Sequence, residues 1–288
     1  MHVAVLGAGS MGHGIGQVFA MAGHDVVVRD VDAELVEAGL DQVRENLEKG
    51  VELGKVAPDR RDETLARMTG TTDLAAAVRD ADLVVEAIPE EMDLKRSVFA
   101  EVNEHAPTDA VLATNTSSLS VTELASAVSR PERFVGLHFF NPPHLMDLVE
   151  VIVAERTSDE TREWAVTTLD EVGKRTVVVE DFPGFATSRL GVALGAEAIR
   201  MVEGGVASPA AIDRAMREGY NHPVGPLELT DRVGLDVRLH VLEYLREELG
   251  ERFRPPALLR RKVRAGKLGK KAGEGFYRWD GDEPLAPE

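Results

Sequence analysis

HVAVLGAGSMGHGIGQVFAMAGHDVVVRD, residues 2–30, is the stretch that decides the fold of this chain. It begins with a short apolar run at 3–6 that is typical of a buried strand, and a helix is predicted from the following glycine-rich turn to about Ala22. A second apolar run then ends at Asp30. A strand, a glycine-rich turn, a helix and a second strand in this order are typical of a nucleotide-binding βαβ unit.

The turn GAGSMG carries the spacing G-x-G-x-x-G. In dinucleotide-binding proteins the first glycine makes the tight turn, the second lets the backbone approach a pyrophosphate, and the third lets the helix pack close to the strand. A glycine-rich turn can also be a tight turn and nothing more, so the motif depends on the strand and helix around it. In this context we predict a nucleotide site at Gly7, Gly9, Ser10, Met11 and Gly12, with the phosphates facing the N–H groups of the helix start.

The acidic residue that closes the second strand indicates which nucleotide is bound. Asp30 lies 23 positions after Gly7. A carboxylate at this place accepts hydrogen bonds from the adenosine ribose hydroxyls and repels a 2′-phosphate. The neighbouring Arg29 slightly weakens this preference, and the sequence predicts NAD rather than NADP as the cofactor.

Composition limits the classes of protein to which the chain can belong. Its 288 residues suit one large or two ordinary domains, and 43% apolar and 29% charged residues are usual for a globular protein. The net charge of −17 argues against nucleic acid or an anionic membrane as a partner. No apolar stretch approaches the ~20 residues that span a bilayer, and the first apolar run lacks the basic leader of a signal peptide. The absence of cysteine excludes disulfides and thiolate chemistry and fits a cytoplasmic enzyme.

Apolar runs that alternate with helical patterns predict the fold class of the first part of the chain. Further strands are expected at 81–87, 110–115, 133–140, 148–153 and 176–180, and further helices at 31–53, 58–65, 91–105 and 159–172. This alternation predicts a Rossmann-type α/β fold, in which a mostly parallel sheet has helices on both faces.

The composition changes at DFPGFATS, residues 181–188. A proline and a glycine interrupt the pattern there, and beyond them we expect helices, with no further strand except at the very end. Residues 187–203 form a helical pattern that is apolar over most of its circumference, which predicts burial in a core or against another subunit. We therefore predict an NAD-binding domain at 1–183 and an all-helical C-terminal domain at 184–288.

Polar residues at the carboxyl ends of the predicted strands mark a candidate active site, because ligands of open α/β sheets gather there. They are Glu86 to Glu90, Asn115 to Ser118, His138 to Asn141, and Glu150. His138 ends an apolar strand, and the following Asn-Pro-Pro turn lets the chain return so that Glu150 comes near it. A carboxylate beside an imidazole fixes its tautomer and stabilises the imidazolium, as a general acid–base pair requires. A core histidine bonded to a structural glutamate is the alternative, and spacing alone leaves both open.

A nicotinamide cofactor near a His–Glu pair and a serine hydroxyl points to alcohol–ketone redox chemistry. His138 would remove the alcohol proton and return it in the reverse reaction, while Ser117 would hold the substrate oxygen. Ser117 or Ser118 as an ordinary N-cap for a following turn is the competing interpretation. We predict no metal site, since no other histidine or carboxylate lies at ligand spacing near the pair.

Over essentially its whole length the chain resembles the L-3-hydroxyacyl-CoA dehydrogenase family, and within it the short-chain 3-hydroxybutyryl-CoA dehydrogenases. The resemblance rests on GAGSMGHGI, VVEAIPE, ATNTSSLS, GLHFFNPPHLMDLVEVI, DFPGF, HPVGPLEL and GKKAGEGFY. It implies NAD-dependent interconversion of (S)-3-hydroxyacyl-CoA and 3-ketoacyl-CoA, as in β-oxidation. It also implies a homodimer, formed by the mainly helical second domain.

The resemblance implies roles for single residues. His138 matches the general acid–base and Glu150 its partner. Ser117 matches the hydroxyl that contacts the substrate oxygen, and Asn141 lies at the nicotinamide and substrate end. The implied cofactor contacts beyond the glycine turn are Asp30, Glu90, Lys95, Ser117, Asn141 and Lys271.

One position departs from the family's pattern. The family usually has asparagine before the arginine in the stretch that is PGFATSRL here, and this chain has Ser188. Serine is shorter and lacks the second donor of the amide, which affects the expected chain-length preference and rate rather than the reaction class. For the coenzyme A part, Lys49 and Lys55 are candidate phosphate partners, although we prefer to interpret both as ordinary surface lysines.

Two other functions remain open at this point. A related two-domain dehydrogenase that acts on a free hydroxy acid or sugar acid would share GAGSMG, the serine and the HFFNP region. A non-catalytic NAD-binding protein could also keep the fold. The joint presence of Ser117, His138, Asn141 and Glu150 argues against the second.

Overall fold

The chain divides into two compact units, Met1–Phe182 and Pro183–Glu288, and the computed structural model describes residues 1–285. Each unit has its own cluster of buried apolar side chains. No helix within residues 1–285 is long and apolar enough to cross a membrane.

A single sheet forms the centre of the first unit. Within residues 1–182, all of which are described, its strands are β1 His2–Leu6, β2 Asp25–Arg29, β3 Met68–Thr71, β4 Leu83–Glu86, β5 Val111–Thr114, β6 Phe134–Phe139, β7 Leu148–Val153 and β8 Arg175–Glu180. Their order is β3-β2-β1-β4-β5-β6-β7-β8. All neighbouring pairs are parallel except β6 and β7. The carboxyl ends of β1, β4, β5 and β6 therefore meet at one edge of the sheet.

Helices connect the strands. They are α1 Gly12–Met21, α2 Ala33–Glu52, α3 Pro58–Ala66, α4 Leu74–Val78, α5 Met92–His105, α6 Val121–Ala125 and α7 Asp159–Glu171. Ile15 and Phe19 of α1 pack with Val43 and Leu47 of α2 in the core that the strands share. The Rossmann-type fold class is confirmed.

Three short elements, β3, α4 and α6, are absent from the sequence-based expectation. Each has only four or five residues. The helices α4 and α6 are too short to repeat a period of about 3.6 residues, and β3, with the sequence MTGT, lacks the apolar run that marks the equally short β4 and β5. In β3 the central Gly70 also breaks the apolar pattern, yet packing requires it, because a Cβ there would lie 2.3 Å from Cγ1 of Val36. Tertiary contacts, rather than local pattern, determine these elements.

The pairing of β6 with β7 is antiparallel. Only residues 140–147 connect the two strands, whereas a parallel crossover needs about a dozen residues or more. The short connection therefore makes a hairpin. Its register places His138 directly opposite Glu150.

The second unit is helical, as predicted. In its described part the helices are α8 Thr187–Glu203, α9 Pro209–Tyr220, α10 Pro226–Val233, α11 Leu235–Leu249 and α12 Ala257–Arg264. The described part also has two short 3-10 helices, Glu251–Phe253 and Lys270–Ala272, and a small antiparallel hairpin near the end of the chain, β9 Arg278–Asp280 and β10 Glu283–Leu285.

Two fully buried aspartates tie the residues before this hairpin to the helices. Asp231 of α10 accepts hydrogen bonds from the backbone N–H groups of Phe276 and Tyr277 and from Nε1 of Trp279, at 2.8, 2.9 and 3.0 Å. Asp213 of α9 accepts the Tyr277 hydroxyl at 2.7 Å. Buried carboxylates bonded in this way are structural.

Candidate active site

The glycine-rich turn lies between β1 and α1, and the protein's own packing requires two of its glycines. A Cβ at Gly7, which has a φ of 103°, would lie 2.6 Å from the carbonyl oxygen of Ala87, and one at Gly12 would lie 1.7 Å from that of Gly7. A Cβ at Gly9 would meet nothing within 4 Å among the described residues. The second glycine is therefore not explained by packing. It suits a turn whose outer side admits a pyrophosphate.

The first turn of α1 is open to an anion. Within the described residues no side chain caps it, and it contains no acidic residue. By contrast, Asp32 caps α2 and Asp73 caps α4 through their carboxylates. Uncapped N–H groups and the positive end of the helix dipole fit the phosphates of NAD.

Asp30 follows β2 directly beside this turn. Its carboxylate accepts hydrogen bonds from the N–H groups of Ala8 and Val31, each at 2.7 Å. A carboxylate has about four acceptor sites, so these two bonds leave capacity for ribose hydroxyls. The residues present thus fit an NAD molecule that runs from the turn along the sheet edge.

A buried ion pair lies behind the ends of β4 and β5. Nζ of Lys95 lies 2.6 Å from Oε1 of Glu86, and these side chains are 1% and 0% exposed. The ammonium also donates to the carbonyl of Ile88 at 3.2 Å and lies 3.3 Å from Glu90, while the Thr114 hydroxyl donates to Glu86 at 2.7 Å. Burial raises the pKa of Glu86, and Lys95 and Thr114 oppose that rise. The ammonium thus donates to Glu86 and Ile88 inside the protein, and a direct contact of Lys95 with NAD stays a prediction.

Glu90 orients the segment that follows β5. Its Oε1 accepts hydrogen bonds from the Thr116 hydroxyl at 2.6 Å, the Ser117 N–H at 2.8 Å and the Ser117 hydroxyl at 3.1 Å. Although burial raises it, the pKa of Glu90 is held below its ordinary value by Lys95 and by these donors. The N-cap of α6 is Ser120. The interpretation of Ser117 or Ser118 as that cap is therefore wrong.

His138 and Glu150 meet in the β6–β7 hairpin. Nδ1 of His138 lies 2.8 Å from Oε2 of Glu150, and the two side chains are 9% and 0% exposed. The ring of Phe140 lies against the imidazole, with 4.7 Å between centroids. The carboxylate thus sets the orientation of the imidazole and can stabilise its protonated form.

Residues 140–147, the hairpin loop, carry Asn141. At its beginning, Oδ1 of Asn115 accepts the N–H of Phe139 at 2.9 Å and so links the end of β5 to the end of β6. Asn141 itself is exposed. Thr114, which donates to Glu86, was not among the predicted site residues, and its place at the end of β5 is the one sequence feature that could have indicated it.

Two of the predicted site residues, Ser188 and Lys271, belong to the second unit. Ser188 lies in the first turn of α8. Lys271 forms an ion pair with Oδ2 of Asp236 at 2.6 Å.

In the first unit, the candidate coenzyme A partners Lys49 and Lys55 are both exposed. Within residues 1–285 no group of three or more histidines, aspartates or glutamates could hold a metal ion.

Comparison with known families covers almost the whole chain. Residues 2–182 match the NAD binding domain of 3-hydroxyacyl-CoA dehydrogenase. Residues 184–279 match the C-terminal domain of the same family.

Individual relatives are similar over more than nine tenths of their lengths. A probable 3-hydroxybutyryl-CoA dehydrogenase of Deinococcus radiodurans is 45% identical, with 97% of this chain and 100% of that protein covered. The mitochondrial hydroxyacyl-coenzyme A dehydrogenase of Rattus norvegicus is 42% identical, with coverages of 96% and 91%. The crystal structure of an (S)-3-hydroxybutyryl-CoA dehydrogenase from Ralstonia eutropha superposes with a TM-score of 0.93 at 38% identity, covering 97% of this chain and 99% of that one.

Proposed function

Because the chain belongs to the 3-hydroxyacyl-CoA dehydrogenase family and its first unit is that family's NAD-binding domain, we propose that it oxidises (S)-3-hydroxybutyryl-CoA to the 3-ketoacyl-CoA and catalyses the reverse reaction. The names of the Deinococcus and Ralstonia relatives support this substrate. One observation carries the proposal. The His138–Glu150 pair, at 2.8 Å, stands at the sheet edge where β1 also leads into the glycine turn.

His138 is the general acid–base in this proposal. Glu150 engages Nδ1, so the imidazole exchanges the hydroxyl proton of the substrate at Nε2. Loss of that proton lets the C3 carbon become a ketone as its hydride leaves, and NAD, when bound, supplies the acceptor for the hydride. Glu150 stabilises the imidazolium that forms.

Neighbouring residues hold the reactants in this proposal. Before substrate binds, the Ser117 hydroxyl donates to Glu90, and this hydrogen bond orients it. When substrate binds, the hydroxyl turns from Glu90 to the substrate oxygen. Asn141 contacts the nicotinamide end from the hairpin loop. The roles of Ser188 toward substrate and of Lys271 toward the cofactor rest on the family resemblance and stay predictions.

An assay with two keto substrates tests the substrate class. We expect NADH oxidation with acetoacetyl-CoA and none with free acetoacetate, and a series of 3-ketoacyl-CoA chain lengths gives the preference that Ser188 leaves open. Equal rates with free acetoacetate would instead indicate a dehydrogenase of free hydroxy acids. NADH binding without any turnover would indicate a non-catalytic protein.

Cofactor choice depends on Asp30 in this proposal. The Asp30→Ala variant should lower the ratio of kcat/KM for NAD to that for NADP by about 10-fold or more, because it removes charge-assisted hydrogen bonds to the ribose worth about 1.5–3 kcal/mol. Steady-state kinetics with both cofactors measure the ratio. Asp32→Ala is the matched control, since Asp32 caps α2 instead. A wild-type protein that prefers NADP would contradict this role.

We also propose that the second unit forms a homodimer. Apolar side chains of α8, α10 and α11 are exposed in the single chain, among them Leu190 at 71%, Leu194, Val233 and Val237. Exposed apolar residues on helices that pack together are typical of subunit interfaces. Light scattering should give the dimer mass for the wild type and the monomer mass for Leu190→Glu. A monomeric wild type at micromolar concentration would refute the proposal.

A further inference from the structure

Lys174 is a buried lysine that the reaction described above does not use. It lies between α7 and β8, and the residue is 8% exposed. Its ammonium donates to the carbonyl oxygens of Pro143 and Met146, both at 2.8 Å. Among residues 1–285 it has no ion-pair partner within 4.0 Å. Burying a charged ammonium in this way costs free energy. A lysine at this position therefore needs a role that goes beyond filling space.

Both carbonyls belong to the hairpin loop, residues 140–147. Inside the loop, the N–H groups of Leu145 and Met146 donate to the carbonyl of Pro142, each at 3.0 Å. Next to the lysine, the N–H of Arg175 donates to the carbonyl of Asp147 at 2.8 Å. The beginning of β8 therefore fastens the second half of the loop.

The other side of the loop rests on the cofactor helix. A Cβ at Gly14, in the first turn of α1, would lie 2.7 Å from Cδ of Pro143. The Pro143 ring thus touches α1, while the carbonyl of the same residue accepts the Lys174 ammonium. One loop consequently joins the phosphate-binding end of α1 to Asn141.

We propose that Lys174 is a positioning residue: its ammonium holds the hairpin loop against α1, so that Asn141 and the glycine turn keep one relative placement around the cofactor. This inference rests on the proposed function of Asn141. A lysine suits the role because one ammonium can donate to two carbonyls that converge on it, which an apolar side chain cannot do.

The substitution Lys174→Met keeps the length of the side chain and removes its donors. We expect kcat to fall and KM for NAD to rise, with kcat/KM for NAD lowered by roughly 10- to 100-fold, the cost of a misplacement of about 1 Å. The acid limb of the pH profile of kcat/KM should not move, because His138 and Glu150 lie in the paired strands rather than in the loop. Lys174→Arg should recover part of the loss, and Arg79→Met, at the exposed end of α4, should behave as the wild type.

A second perturbation approaches the loop from α1. Gly14→Ala pushes against Pro143, and if Lys174 acts through this loop the losses in Gly14→Ala and Lys174→Met should not multiply in the double variant. Kinetics are measured well below the Tm of each variant. A lowered Tm with unchanged kcat and KM would make Lys174 merely structural, and a shifted acid limb would mean that it acts through His138; either result overturns the proposal.

NADH binding separates this inference from the proposed function. The Kd for NADH, measured by fluorescence without substrate, should rise in Lys174→Met and stay unchanged in Arg79→Met. If the wild type reduces no 3-ketoacyl-CoA, the proposed function fails, and the Kd still tests Lys174. An unchanged Kd in Lys174→Met would overturn the positioning role even in an active enzyme.

Discussion

The His138→Ala variant should lose roughly 10²–10⁴-fold in kcat, the usual contribution of a general acid–base. In the proposed mechanism Nε2 of His138 exchanges the substrate proton, while Glu150, 2.8 Å from Nδ1 in the hairpin, orients the ring. Binding of NADH should stay close to that of the wild type, because the glycine turn and Asp30 are untouched. Stopped-flow reduction of acetoacetyl-CoA and fluorescence titration with NADH measure the two quantities.

Glu150→Gln is the companion variant. It keeps the shape of the side chain and a hydrogen-bond acceptor but removes the charge that stabilises the imidazolium. We expect a kcat between those of the wild type and His138→Ala, and little further loss when both residues are changed, because the pair acts as a unit. Near-normal turnover in His138→Ala would remove the histidine from the mechanism and leave the pair as a structural contact.

The Lys95→Met variant should lose about 3–5 kcal/mol of unfolding free energy, the usual result of removing one partner of a buried ion pair. Glu86 is fully buried, and without the lysine its carboxylate has no cation within 4.0 Å among the described residues. Urea denaturation at several pH values measures the loss. The first unit should be affected most, since the pair lies behind the ends of β4 and β5.

The loss should also depend on pH. Burial raises the pKa of Glu86, and removal of Lys95 raises it further. A carboxyl group whose pKa is higher in the folded than in the unfolded state stabilises the fold when protonated, and this contribution is lost as the pH rises. Lys95→Met should therefore be more destabilised at pH 8 than at pH 5. The double variant Lys95→Met with Glu86→Gln should recover much of the stability and be nearly independent of pH between these values. Equal stability of Lys95→Met and the wild type at pH 8 would contradict this account.

Local spacing was enough to predict most of the first unit. The β1–turn–α1 unit repeats a short pattern of apolar residues and glycines, and the structure explains two of those glycines by contacts of 2.6 and 1.7 Å that a Cβ would make. Short elements without an apolar pattern, such as β3 with the sequence MTGT, escaped prediction, whereas the equally short β4 and β5 are apolar runs. Their positions depend on neighbours such as Val36, which lies far away in the sequence.

Only part of the candidate site could be predicted from the sequence. Polar strand ends indicated the right edge of the sheet, because parallel strands bring their carboxyl ends together. No pattern indicated that Lys95 donates to Glu86 and Ile88 beside Glu90. None indicated that Lys174, which immediately precedes β8, reaches the hairpin loop. Such side-chain partners are chosen by packing, and they are separated by up to 31 residues along the chain.

The sequence by itself determined the fold class, the place of the glycine turn and the nature of the cofactor, because each follows from residues that are close together in the chain. The tertiary structure alone decided whether His138 and Glu150 touch. A parallel pair of strands would have left them apart, whereas the short connection at 140–147 imposes a hairpin whose register sets them opposite each other. Register is a property of two paired strands, and neither strand carries it alone.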